Sequence, residues 1–349
     1  MTGPRLFVEY PARPDPDCPK RMVFGPCGGI RDDRSCEIDS RPCPFGHTAQ
    51  PVRWEGEEPA PNPAGELLRA AESGPVILTD LSVAAFDRSN LEEVAKIVGA
   101  SSDSVLVGEH QNRPDFPPTV MAQMIAGVGG RPWITLTCRD RNRVVLEQEL
   151  MGLRQAGADG VFCVTGDGRA QGVRPDVTQV FDLDGTRLTA LAAQAGLSVG
   201  VPEAPQAEPT AIRPGRLLQK QRAGAGLAVL NHVGTVGALT EFVSTARAAG
   251  VTIPIIAGVA VYTDERSARV LAAFPGLHLD PAEIARVVTS DDPRAVGIET
   301  AVQEAADLLS VPGVAGVNLS GLASGSGEIP AAHVKAEVAE RIRERMDAR

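Results

Sequence analysis

The stretch from Trp133 to Asp167, WITLTCRDRNRVVLEQELMGLRQAGADGVFCVTGD, most narrows what this chain can fold into. The β-branched run Ile134-Thr135-Leu136-Thr137 stops at the polar segment Cys138-Arg139-Asp140-Arg141-Asn142. Leu146, Leu150 and Leu153 then recur at helical spacing and Gly157 and Gly160 close the helix, before Val161-Phe162-Cys163-Val164 runs into Thr165-Gly166-Asp167. This is a βαβ unit. Its crossover makes two parallel strands, so the CRDRN loop and the TGD turn are expected on one sheet edge, facing one cleft.

The same alternation continues along the chain. Strand candidates fall at 75–79, 103–107, 133–137, 161–164, 197–201, 227–230, 253–257 and 314–319, each followed by an amphipathic stretch. Eight strands alternating with helices predict a (β/α)8 barrel over residues 64–349, with a first helix near 64–73 and a polar last helix at 331–347. An open doubly wound sheet is the competing architecture, but no G-x-G-x-x-G follows the first strand and the count of eight favours closure. Working residues of such a barrel sit at the carboxyl ends of its strands. Those positions are Asp80, Glu109 to Gln111, Thr137 to Arg141, Thr165 to Asp167, Pro202-Glu203, Asn231-His232 and Asn318 to Gly321.

The hydrophobic fraction of 43% supplies a sizeable core, and with aromatic residues at 4% the packing must be mostly aliphatic. No apolar run approaches the length of a membrane span, and the first residues lack a signal-peptide core, so a cytoplasmic protein is expected. A net charge of -10 argues against a nucleic-acid partner.

Four of the six cysteines lie in the first fifty residues, as Cys18-x8-Cys27-x8-Cys36-x6-Cys43. A segment this small needs a staple, and in a reducing cytosol a metal explains the thiols better than disulfides. Four thiolates suit tetrahedral Zn²⁺ or one [4Fe-4S] cluster; the C-x2-C pairs of zinc ribbons are absent and long glycine-bearing loops suit the cluster. Residues 1–50 are read as a cysteine-rich metal-binding module and 51–63, rich in Pro and Glu, as a linker. Two arginines in the 139–141 loop suit a diphosphate or another acceptor-rich chain, whereas Asp140 or Asn142 serves equally as a helix cap. Cys138 and Cys163 read as small buried hydrophobes.

The TCRDRN loop and TGD turn, together with VFDLD at 180–184, Pro202-Glu203 and KQRAGA at 220–225, resemble the methylenetetrahydrofolate reductase family across Pro75 to Ser320. The cysteine-rich segment is similar to a small module that accompanies some members. The resemblance implies a flavin, FAD before FMN, touched by Thr137, Arg139, Arg141, Thr165, Gly166, Pro202, Glu203 and Lys220. It implies Asp80 as a general acid, Asp167 beside flavin and pterin, and Asn231 as a pterin ligand where the family has a longer glutamine. On that basis the chain is expected to reduce 5,10-methylenetetrahydrofolate to 5-methyltetrahydrofolate. NAD(P)H or an electron-donor protein would supply electrons, and a homo-oligomer is compatible with the sequence. The family's aromatic residues are replaced by Val233-Gly234-Thr235 and Glu265. The alternatives are therefore a diverged enzyme acting on another one-carbon or flavin substrate, and a non-catalytic folate- or metal-binding subunit.

Overall fold

A computed structural model describes residues 13–59, 65–110, 112–169, 173–273, 277 and 279–348. Residues 60–63 of the expected linker, Gln111 and the first twelve residues lie outside these. In chain order the elements are α1 (Glu66–Ser73), β1 (Val76–Leu81), α2 (Arg88–Gly99), β2 (Ser104–Val107), α3 (Pro118–Gly127), β3 (Pro132–Thr137), α4 (Arg143–Gln155) and β4 (Gly160–Val164). There follow α5 (Gly185–Gln194), β5 (Val199–Glu203), α6 (Arg213–Arg222), β6 (Leu227–Leu230), α7 (Val236–Ala248), β7 (Ile255–Tyr262), α8 (Glu265–Ala272), α9 (Pro281–Val288), α10 (Pro293–Leu309), β8 (Val314–Ala323) and α11 (Glu328–Asp347). The eight strands form a closed barrel in sequence order, every pairing parallel, with β8 returning to β1.

The leucine stripe that predicted α4 is fully buried between helix and strands, as Leu146, Leu150 and Leu153. Burying such a side chain is worth about 1.5–3 kcal/mol. Cys138 and Cys163 are buried there too, as expected of small apolar groups. Asn142 caps α4 by accepting the amide of Val145, and Asp184 caps α5 by accepting that of Arg187.

Inside the barrel, Leu78, Leu106, Trp133, Phe162, Leu227, Val229 and Ile256 form a second cluster. Its floor is closed by α1, whose Leu67 and Leu68 enter it. The Asp159 carboxylate fixes that plug, accepting the amides of Glu66 and Leu67 and, at 2.7 Å, the Trp133 indole N–H. A side chain at Gly160 or Gly200 would overlap the Trp133 ring.

Residues 13–59 contain one isolated bridge, Ser35 to Pro42, and otherwise run as turns and extended chain. They are packed onto the barrel. Val23, Phe24 and Trp54 bury themselves with Ala190 of α5 and Ala223 of α6, and the Trp54 amide donates to Gln219 Oε1 at 2.7 Å. The Val23 amide donates to the Asp184 carboxylate. No helix among the described residues is long and apolar enough to cross a membrane.

Candidate active site at the barrel mouth

Two adjoining cavities open at the carboxyl ends of the strands and share Phe162, Pro202 and Asn231. One, of about 260 Å³, lies over β3, β4 and β5 and is polar; Lys20, Cys27, Gly28 and Gly29 of the cysteine-rich segment complete its wall. The other, of about 360 Å³, lies over β1, β2 and β6 to β8 and is lined mainly by apolar groups, with His110, Arg113, Asn231 and Asn318 among them. Each is the size of a single small ligand ring system.

The parallel register delivers the predicted residues to this end. Asp167 and Asn231 line the polar cavity, and Asn231 lines the apolar one as well. Asp80 reaches the apolar cavity through Asn318, whose Nδ2 donates to the Asp80 carboxyl at 3.1 Å. Burial raises the Asp80 pKa, opposed by the Lys335 charge and by that hydrogen bond. Asp167 is raised by burial as well, with Lys20 opposing and Glu37 adding to it.

Lys20 and Glu37 were not anticipated. Lys20 is buried, pairs with Glu37 and stands 6.0 Å from the centre of the Phe181 ring. Glu37 also accepts the amide of Gly168 at 2.6 Å, tying the cysteine-rich segment to the residue after the TGD turn. Their separation in sequence from Asp167 hid them.

The remaining predicted side chains hold the mouth together. Thr165 accepts the amide of Gly185, linking β4 to α5. Gly166 has φ +93°, and a Cβ there would press on Thr137 and Arg139, so this glycine is required by loop packing. Thr137 donates to Glu109, which also pairs with Arg141. Buried Arg139 bonds Asp140 and the carbonyls of His110 and Asp167. Lys220, far from the solvent-facing position usual for a helix lysine, is buried and bonded to the Pro202 carbonyl and to Glu203. Arg213 and Arg216 converge on the same carboxylate, at 3.5 and 3.7 Å. Burial opposes ionisation of Glu203, but the Lys220, Arg216 and Arg213 charges outweigh it and hold the pKa down at about 2.

These pairings bear on a flavin. Arg139 and Arg141, whose loop suits a diphosphate, and Lys220, expected to contact the cofactor, are engaged within the protein. Arg213 is spent on the carbonyls of Cys27, Ala207 and Glu208. Arg216 lines the polar cavity, 3.7 Å from Glu203, and its buried Nε has no hydrogen-bond partner among the described residues. The polar cavity of about 260 Å³ has room for one ring with an anionic group beside Arg216, and its other cations would have to exchange partners to hold a diphosphate.

The four N-terminal thiols lie in one neighbourhood without forming a ligand set among the described residues. Cys18, Cys27 and Cys43 touch one apolar cluster with Met22 and Phe45, but the Cys27 thiol turns to Glu37 at 3.5 Å. Burial pushes the Cys27 pKa up to about 12 and raises those of Cys18 and Cys43. Among the described residues no three His, Cys, Asp or Glu side chains lie close enough to share a metal ion. The expected zinc or iron-sulfur site is not formed among the described residues, and no chemistry is assigned to it.

Residues 99–326 match the family model described as methylenetetrahydrofolate reductase. No curated protein matches the chain. Among solved structures it is similar to an uncharacterized protein from Clostridium thermocellum that binds two copies of 5-methyl-5,6,7,8-tetrahydrofolic acid. The TM-score is 0.58 at 13% identity, over 80% of this chain and 99% of that one. It is also similar to tryptophan synthase from M. tuberculosis, with TM-score 0.46 at 15% identity over 81% of this chain and 99% of that one.

Proposed function

Because the chain belongs to the methylenetetrahydrofolate reductase family, we propose that it binds a folate at the barrel mouth and reduces 5,10-methylenetetrahydrofolate to 5-methyltetrahydrofolate. The observation that carries this reading is the junction of the two cavities at Asn231, with Asp167 on one side and the Asp80–Asn318 pair on the other. A pterin spanning that junction would meet a carboxylate and an amide able to pair with its ring N–H and carbonyl groups. Asp80, whose burial favours the protonated form, gives its proton to the folate nitrogen that leaves the methylene bridge. The bridge opens to an iminium, and a hydride delivered to its carbon makes the methyl group. A reduced flavin or nicotinamide supplies that hydride when bound. The charge pairs of the polar cavity orient the substrate and keep water from the reacting carbon.

A second reading is favoured by the engaged cations: a diverged member of the family that binds folate without a dinucleotide flavin. The C. thermocellum protein binds two folate molecules, and two adjoining ring-sized cavities are compatible with that stoichiometry here.

Calorimetric titration of the full chain with 5-methyltetrahydrofolate, repeated on Asp167→Asn, tests both readings. Binding that weakens by about tenfold in the variant supports folate at this mouth, since one good hydrogen bond to a charged group is worth about 1.5–3 kcal/mol. A folded chain that takes up no folate would end both. Product formation from 5,10-methylenetetrahydrofolate with NADH, with and without added FMN, then separates them.

A further inference from the structure

A lysine fully buried within a helix is costly unless something receives its charge and its donors. Lys335 of α11 is 1% exposed, and its ammonium donates to the main-chain carbonyl of Asp80 at 2.7 Å. It sits on the stripe Ala331, Lys335, Val338 and Ile342, where spacing calls for an apolar residue. Burial lowers its pKa to about 8, with Asp80 pulling the other way. The Asp80 carboxyl is held from the opposite side by Asn318, whose own Oδ1 is buried without a partner.

We propose that Lys335 is a positioning residue for Asp80: it anchors the end of β1 and places one positive charge near the carboxyl that Asn318 links to the apolar cavity. This rests on Asp80 serving as the proton donor. The surroundings leave Lys335 as the charge in command. Of the elements packed on β1, β8 presents the neutral amide of Asn318 and β2 presents Leu106 opposite Asp80. Helix α2 turns Leu91, Val94 and Val98 inward, while Arg88, Glu93 and Lys96 are exposed and Glu92 pairs with Arg88. The cavity rim adds His110, Arg113 and Glu328.

The consequence runs against the usual expectation for a lost buried contact. Burial raises the Asp80 pKa and so weakens it as an acid, while the ammonium acts in the opposite direction and keeps it a better donor. Removing the charge therefore moves the Asp80 titration upward wherever wild-type Lys335 is still protonated, below about pH 8. Lys335→Gln keeps a donor for the carbonyl and drops the charge, and Lys335→Met removes both. Turnover is followed from pH 6 to 10, and the protonated carboxyl stretch is followed by infrared difference against Asp80→Asn. Both variants should move the alkaline limb and the carboxyl band upward by about one pH unit, a tenfold change in proton affinity. Lys335→Arg should leave them in place. Uniform loss of rate at every pH, with an unmoved carboxyl band, would reduce Lys335 to a structural role and overturn the proposal. If Lys335→Met does not fold, Lys335→Gln carries the same reading. A band that moves while Asp80→Asn keeps full turnover would uphold the coupling and reject Asp80 as the acid.

Discussion

The two halves of the mouth are built on opposite rules. Over β3 to β5 the charges are matched with partners: Arg139 with Asp140, Arg141 with Glu109, Lys220 with Glu203 and Lys20 with Glu37. Over β1 and β8 polar groups are few and one is left incomplete, the Asn318 Oδ1. The polar half is laced by ion pairs, with the Arg216 Nε and Glu109 Oε1 left out of its hydrogen bonds, whereas the apolar half sets a lone amide beside a buried carboxyl.

The contrast breaks most visibly at Glu203. Glu203→Gln leaves Arg213, Arg216 and Lys220 without their shared carboxylate, and breaking a buried pair typically costs about 3–5 kcal/mol. Urea unfolding should show a loss of that order. Because the Glu203 pKa is depressed, its contribution is present above the ordinary carboxylate range and fades as pH falls towards about 2. The variant should therefore show a shallower acid limb than wild type below about pH 4.3; parallel limbs would mean that the cluster adds nothing.

The matching test in the apolar half is Asp80→Asn. Turnover should fall by about a hundredfold, the lower range for a lost general acid, with folate affinity changed little. Stability should hold or rise, since an acid of raised pKa is replaced by a neutral amide. A fall in stability like that of Glu203→Gln would erase the distinction between the halves.

Asn231 belongs to both. Asn231→Gln lengthens the amide by one methylene and should change the folate dissociation constant by about tenfold, equivalent to about 1.4 kcal/mol. Equal affinity would place the pterin away from the junction. The smallest effect is expected at Thr165, where Thr165→Val removes the acceptor for the Gly185 amide and should cost about 1 kcal/mol of stability without touching folate affinity.

Much of this was legible in the chain. All eight strands stand where the apolar runs placed them, because barrel strands buried on both faces leave nearly continuous signals. The ends of β7 and β8 ran beyond expectation, to Tyr262 and Ala323. Their glycines and serines read as loop, yet Gly258 lies where the β6 backbone comes within 2.9 Å of any Cβ. The TGD turn, Asn231 and Asp80 were visible because each ends a strand. Lys335 was not: the helix at 331–347 reads as polar, although a lysine on its apolar stripe was a signal available in the sequence. Lys20 and Glu37 could not be found locally, because what makes them part of the mouth is the docking of a segment more than a hundred residues from Asp167.

The plug formed by α1 has a kinetic corollary. With Leu67 and Leu68 sealing the floor and Asp159 bolting them in place, traffic through the barrel is confined to one doorway. Whatever enters either chamber leaves by the way it came, so incoming and outgoing molecules use the same passage. Product inhibition patterns in steady-state kinetics would then carry the imprint of a single entrance.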